Sequence, residues 1–228
     1  MKYIVVGLGS FGASLAQKLT AFGNEVIGID KSMAKVDLFK ERISHTICMD
    51  STDEATVSGL PLNDTDMVII TIGEDRGANV MTTALFKNLE VKRLMSRAID
   101  SLHEKVLNAI GVDEIVYPEA ESAERWAKKF SLKGVVDSFE LSDEYSIIEV
   151  NVPEKFDRKM IKDIQIRETY NLLVLTSMEN TEIKSTLGRG KKTVRVNGVA
   201  SANDVLSKDD ILVVYGANKD IQRFLKDA

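Results

Sequence analysis

A chain of 228 residues, 44% of them hydrophobic, is long for one core and suits a medium domain followed by a small one, each able to bury its own apolar centre. Its 35 acidic against 30 basic side chains, a net charge of -5, exclude a nucleic-acid coat or a basic arm and fit an ordinary solvated surface. No run approaches the ~20 apolar residues of a membrane-spanning helix, so no direct membrane insertion is expected, and an N-terminus that enters a strand almost at once leaves no room for a signal peptide.

The first predicted element is a strand, Tyr3-Ile4-Val5-Val6, which runs directly into Gly7-Leu8-Gly9-Ser10-Phe11-Gly12 and then into an amphipathic helix carrying Leu15, Ala16, Leu19 and Phe22. A second apolar run, Val26-Ile27-Gly28-Ile29, closes on Asp30. Strand, glycine loop, helix and a following acid form a dinucleotide-binding fingerprint. Gly7 permits the tight turn, Gly9 lets the backbone approach a pyrophosphate, and Gly12 lets the helix pack close to the sheet. The helix N-terminus offers free N–H groups and a positive dipole end to an anion, and Asp30 accepts from a ribose hydroxyl. Because Lys31 and Ser32 follow Asp30, with no arginine beside it, a 2′-hydroxyl is favoured over a 2′-phosphate, which argues for NAD(H) over its 2′-phosphorylated form.

Further strands are predicted at Thr46-Ile47-Cys48, Met67-Val68-Ile69-Ile70, Arg93-Leu94-Met95 and Glu114-Ile115-Val116, with helical stretches between them. Alternation of this kind predicts a Rossmann-like, doubly wound α/β fold with a six-stranded parallel sheet. Cys48, the single cysteine, is read as core filler in a reducing cytoplasm. The carboxyl ends of the strands, where such sheets bind ligands, carry Asp30, Asp50-Ser51-Thr52, Thr71-Ile72-Gly73, Arg97, and Pro118-Glu119. Glu74 and Asp75 read most simply as a helix N-terminal turn, where carboxylates complement the dipole. His45 and His103, the only histidines, read as surface or packing residues.

Residues 119–132 are predicted as a helix with Ala123, Trp126, Ala127 and Phe130 on one face, and the domain boundary is placed after Lys133-Gly134. Residues 1–134 are thus the nucleotide-binding domain and residues 135–228 a small α+β domain. Its strands are predicted at 146–152, 172–176, 193–196 and 211–215, with a closing helix at 218–225. This second domain lacks histidine, cysteine and paired carboxylates at a catalytic spacing. Gly188-Arg189-Gly190-Lys191-Lys192 misses the spacing of a phosphate-binding P-loop and is read as a basic turn.

On Val6-Gly7-Leu8-Gly9-Ser10-Phe11-Gly12, Gly28-Ile29-Asp30, Asp50-Ser51-Thr52, the helix from Asn79 to Leu85, Ser96-Arg97-Ala98, Ile110-Gly111-Val112-Asp113 and Val116-Tyr117-Pro118-Glu119, the chain resembles a family over nearly its full length. That family is the TrkA/KtrA regulatory subunits of bacterial potassium uptake systems, built from an RCK (regulator of K+ conductance) domain with an N-lobe and a C-lobe. The resemblance implies a non-enzymatic, cytoplasmic nucleotide sensor, peripheral to the membrane through a K+-translocating partner of the TrkH/KtrB type. Dimers would assemble into an octameric ring whose shape responds to NAD(H) or to ATP and ADP. It further implies phosphates held by Gly7, Gly9, Gly12 and Arg97, ribose by Asp30, with Lys31 beside it among the cofactor-binding residues, and adenine near Asp50, Ser51 and Thr52. Glu119 matches a family acid near a terminal phosphate or a bound metal cation, and Ile166-Arg167 lies in the region where some C-lobes bind cyclic di-AMP. Ser10 stands where ATP-responsive members often have arginine, which weakens discrimination for ATP over ADP at this position. The alternative reading, a small NAD-dependent dehydrogenase, lacks an acid/base group placed beside the nicotinamide. An NADH-sensing DNA-binding repressor lacks a basic recognition helix.

Overall fold

The β-branched segment Lys2–Val6 forms β1 at the centre of a six-stranded sheet, with α1 (Ser10–Ala21) following the glycine loop. The computed structural model describes residues 1–132, 134–183 and 191–227. The first half continues with β2 (Glu25–Asp30), α2 (Met33–Phe39), β3 (His45–Cys48), α3 (Glu54–Val57), β4 (Met67–Ile70), α4 (Arg76–Asn88), β5 (Leu94–Arg97), α5 (Ser101–Ile110) and β6 (Glu114–Val116), and ends in α6 (Pro118–Ser131). The order β3-β2-β1-β4-β5-β6, parallel throughout, is the doubly wound Rossmann-like fold that the sequence predicts. Both faces are covered, so β4 is buried at every residue. Val5, Val26 and Ile69 pack with Ala13 and Ala16 of α1, while Ile4, Val6, Val68 and Ile70 pack with Phe86 of α4. Helix starts follow local chemistry: the carboxylates of Asp53, Asp75 and Asp100 accept from the amides of Ala55, Ala78 and His103 and cap α3, α4 and α5.

The second half builds a sheet of order β10-β9-β11-β8-β7 from β7 (Val135–Glu140), β8 (Tyr145–Asn151), β9 (Leu173–Ile183), β10 (Lys191–Val196) and β11 (Ile211–Ala217). Its strand pairs are antiparallel. With α7 (Ile166–Tyr170) and α8 (Asn218–Asp227) it is the expected small α+β lobe. Ile148, Val150, Leu212 and Val214 meet Tyr170, Ile221 and Phe224 in its core. β7 is absent from the predicted strands because Asp137 and Ser138 interrupt its apolar alternation.

The chain divides into two units, Met1–Ala120 and Glu121–Ala228, and within the second Arg125 and Lys128 of α6 form ion pairs with Asp137 and Glu140 of β7. Three expectations change. The apolar face of α6 is not buried: Trp126 is 52% and Phe130 78% exposed, and they stack on each other with ring centroids 5.4 Å apart. Cys48 is exposed, since β3 is an edge strand, and Phe22 is 82% exposed because it lies beyond the last turn of α1 as its C-cap. Ile166 is buried at the start of α7, and Arg167 beside it is exposed. In the expected basic turn, residues 188–190 lie outside the described residues, and Lys191 and Lys192 begin β10.

Candidate functional site

The chain leaves β1 through Gly7 at φ +100°, a left-handed conformation that favours glycine. The Gly7 amide donates to the Ile29 carbonyl at 2.7 Å. The Thr71 hydroxyl at the end of β4 lies 2.9 Å from the Val6 carbonyl and 2.6 Å from that of Gly7. A β-carbon on Gly12 would sit 2.0 Å from the Gly7 carbonyl oxygen and 2.2 Å from Thr71 Oγ1, so Gly12 is the place where helix and strand touch. α1 starts at Gly9 without a side-chain cap and without an acid in its first turn. Its leading N–H groups are therefore open to an anion.

A cavity of about 650 Å³ opens beside this loop, at the point where the strand order reverses between β1 and β4, and within the size range of small-molecule sites. It is lined by Gly7, Gly9, Ser10, Phe11, Asp30, Lys31, Asp50, Ser51, Thr52, Thr71, Ile72, Gly73, Arg97 and Glu119, so every predicted site residue reaches it except Leu8 and Gly12. Those two are buried. The Leu8 side chain belongs to the core and Gly12 to the helix contact. Glu74 and Asp75 also line the cavity, as do Lys35 and Met81, which the sequence did not single out.

Asp30 is the electrostatic centre of the loop. Its Oδ2 accepts from the Leu8 amide at 2.8 Å, its Oδ1 accepts from the Ser32 amide at 2.9 Å, and Lys35 Nζ stands 3.7 Å away. The residue that was expected to meet a ribose therefore also fixes the glycine loop from behind. The Asp50 carboxyl is held below its usual range by hydrogen bonds from the Thr52 amide and hydroxyl, with the Lys31 charge adding to the effect. The Ser51 hydroxyl is buried 3.0 Å from that of Thr82. Arg97 lies across Gly73: a β-carbon there would be 2.3 Å from its Nη1. Its other terminal nitrogen pairs with Glu119, and the Arg97 side chain is 18% exposed against 66% for that of Glu119. Among the described residues no group of three or more histidine, cysteine, aspartate or glutamate side chains is arranged to hold a metal ion, so the cation foreseen at Glu119 finds no such cluster.

Comparison with known proteins bears on this first unit directly. The profile of the TrkA-N domain matches residues 3–118, the stretch that carries the glycine loop, Asp30 and Arg97. The chain belongs to the TrkA-N domain family. This TrkA-N protein is 35% identical over 225 residues to the Ktr system potassium uptake protein C of Bacillus subtilis (strain 168), covering 99% of this chain and 96% of that one. In fold it is similar to the GsuK RCK domain, with a TM-score of 0.65 at 16% identity over 99% of this chain and 46% of that one. The GsuK channel bound to NAD gives a TM-score of 0.62 at 16% identity over 96% of this chain and 37% of that one. At that identity the likeness speaks for the fold.

Behind the cavity the TrkA-N unit holds a polar network that sequence patterning did not single out. Asn79, Thr82 and Thr83 of α4 are completely buried. Asn79 Nδ2 donates to the carbonyls of Ile72 at 2.8 Å and Arg97 at 3.3 Å. Asn79 Oδ1 lies 3.1 Å from His103 Nε2, and the Ser96 hydroxyl donates to it at 3.2 Å. Polar residues on the inner face of an amphipathic helix were the available signal. His103, read as a surface or packing residue, is 4% exposed, and its Nδ1 has no partner. His45 is exposed at the start of β3.

Burial holds the His103 imidazole below its ordinary range, with the Asp100 carboxylate opposing that shift and Arg76 adding to it. The folded state keeps this ring neutral, whereas the unfolded chain protonates it below about pH 6.5. The unfolded state then binds more protons, so this contribution is fully present above about pH 6.5 and is lost as the pH falls. The expected result is a melting temperature that drops from pH 7.5 to 5.5 by more in the wild type than in His103→Gln. Equal slopes in differential scanning calorimetry would remove His103 as the cause.

Proposed function

We propose that this chain is a nucleotide-sensing regulatory subunit of a potassium uptake system, cytoplasmic and held at the membrane through a K+-translocating partner. The observation that carries the reading is the end-to-end likeness to a Ktr potassium uptake protein, in a chain whose glycine loop opens on a cavity of nucleotide size. Among the described residues no helix is long and apolar enough to cross a membrane, and in this reading ion passage belongs to the partner.

The ligand is a nucleotide whose phosphates sit on the free amides of α1 and whose ribose meets Asp30. Five carboxylates face the cavity, from Asp30, Asp50, Glu74, Asp75 and Glu119, against the cations of Lys31, Lys35 and Arg97. That balance and the neutral Ser10 hydroxyl favour NAD(H) or ADP over free ATP, which carries more negative charge into the same field. GsuK is described bound to NAD and to ADP. A phosphate arriving beside Gly73 competes with Glu119 for Arg97, the charge-assisted donor. Signalling then follows population shift: the nucleotide stabilises one arrangement of neighbouring subunits in a ring of dimers, eight chains in all. It must bind the two arrangements with different affinity, because equal affinity shifts nothing.

Isothermal titration of the purified chain with NADH, NAD, ADP and ATP, run beside light scattering, tests this. The expected result is micromolar binding by a large oligomer without consumption of NADH; a small species that binds nothing defeats the reading. Arg97→Ala is expected to weaken ADP at least about tenfold, the cost of a charged hydrogen bond. Its melting temperature should fall only modestly, because the pair is open to solvent on the Glu119 side and such pairs contribute about 1 kcal/mol at most, leaving the lost packing of the largely buried Arg97 side chain as the main cost.

A further inference from the structure

Asn79 makes more of its side chain than the packing of α4 requires. Both of its amide hydrogens go to backbone carbonyls that only accept, Ile72 at 2.8 Å and Arg97 at 3.3 Å. These carbonyls belong to the two segments that leave β4 and β5 for the cavity, one next to Gly73 and the other on Arg97 itself. Because neither carbonyl donates, the amide has one orientation, and its oxygen faces His103 Nε2 at 3.1 Å. His103 must then carry its proton on Nε2, which leaves Nδ1 as the bare, buried nitrogen without a partner. The Ser96 hydroxyl closes the same oxygen at 3.2 Å. A fully buried amide saturated in this way costs nothing in unmet hydrogen bonds and holds its neighbours rigidly.

We propose that Asn79 is a positioning residue of the cavity: by tying the Ile72 and Arg97 backbones together it fixes the Arg97 guanidinium over Gly73, where a ligand phosphate is recognised, while His103 locks the Asn79 amide. This rests on the nucleotide reading above and adds a mechanism of selectivity to it. The β2 and β3 edges, with Asp30 and Asp50, make no hydrogen bond to Asn79, so the nucleoside half of a ligand does not depend on it. The phosphate half does. His103 is thereby tied to ligand affinity through Asn79 without reaching the cavity itself.

The test is titration of the full-length chain with ADP and with adenosine. Asn79→Asp keeps the oxygen facing His103 and replaces the donating amide by an acceptor. It is expected to weaken ADP about tenfold, as the loss of an ordered charged contact does, while adenosine stays within about twofold of wild type. In the Arg97→Ala background the same substitution should cost ADP nothing further, since coupled residues are not additive. Unchanged ADP binding, equal losses for both ligands, or additive losses in the double variant each overturn the assignment. Should Asn79→Asp fail to fold, His103→Leu and His103→Gln decide: His103→Leu should lower ADP affinity selectively, and His103→Gln, whose amide can still donate, should restore it. Loss without rescue overturns the lock. Wild-type chain that binds neither ligand overturns the nucleotide reading and this role with it, whereas equal ADP binding by wild type and variants overturns this role alone.

Discussion

Gly12→Ala is expected to destabilise the first unit by about 3 kcal/mol, the upper end of the usual cost of overpacking, and to lower its melting temperature by roughly 6–12 °C at this chain length. The added methyl carbon would lie 2.0 Å from a backbone carbonyl and 2.2 Å from a threonine hydroxyl. Neither neighbour can rotate away: the carbonyl belongs to Gly7, and the Thr71 hydroxyl is committed to the Val6 and Gly7 carbonyls. α1 would have to lift off the sheet. Gly9→Ala is the informative partner, because nothing lies within 4 Å of a β-carbon there and its φ of -72° suits any residue. It should cost only about half a kcal/mol, the N-cap difference between glycine and alanine. Yet its methyl group would project where a pyrophosphate must approach the backbone, so nucleotide affinity should fall by more than about tenfold. Thermal melts and titrations on the same two preparations check both halves. Equal melting temperatures for the two variants would show that the helix contact at Gly12 is not tight.

Asp30→Ala is expected to show both effects at once. It strips the acceptors from two backbone amides, those of Leu8 and Ser32. Each donor left without a partner costs about 1–3 kcal/mol, so a total of about 2–6 kcal/mol is expected for the two. Asp30→Asn should fall between this variant and wild type, since its oxygen can serve one amide while its NH2 group faces the other. Both variants should also lose NADH and ADP affinity, since the carboxylate fixes Leu8 inside the glycine loop. A binding loss in Asp30→Ala is therefore no proof of a ribose contact. The discriminating comparison is ADP against inorganic pyrophosphate: a ribose contact would make the loss larger for ADP, and a loop effect would make it equal. An Asp30→Ala protein that melts like wild type would contradict the bracing role.

The parallel sheet was legible because its strands are short apolar runs, most of them β-branched, that end in polar or small residues, and because period and length separate such runs from the helices between them. The cavity followed from the same fact, since in a parallel sheet all carboxyl ends lie on one side; Asp30, Asp50, Thr71 and Arg97 converge however far apart they are in the chain. β7 was not legible, because Asp137 and Ser138 break its alternation, and its pairing with β8 overrides that local signal. Cys48, Phe22 and Trp126 show the same gap from the opposite direction. Apolar character at the right spacing predicts burial, but an edge strand, a helix end and a face without a covering element leave such residues in solvent.

Asn79 and His103 mark where local reading stops. A histidine inside one helix and an asparagine inside another carry no local sign that they meet, and only the packing of α4 against α5 brings them within 3.1 Å. Backbone geometry over a few residues is dictated by the chain itself, so the glycine loop and the helix N-terminal turn at Glu74 and Asp75 were open to inspection in the sequence, as was the alternation of strands and helices that makes a doubly wound sheet. The tertiary structure alone decided that Gly12 is a packing glycine, that Asp30 braces the loop it faces, and that Arg97 rests on Glu119. Each of these depends on distances between segments 22 to 59 residues apart in the chain, which local propensity does not constrain.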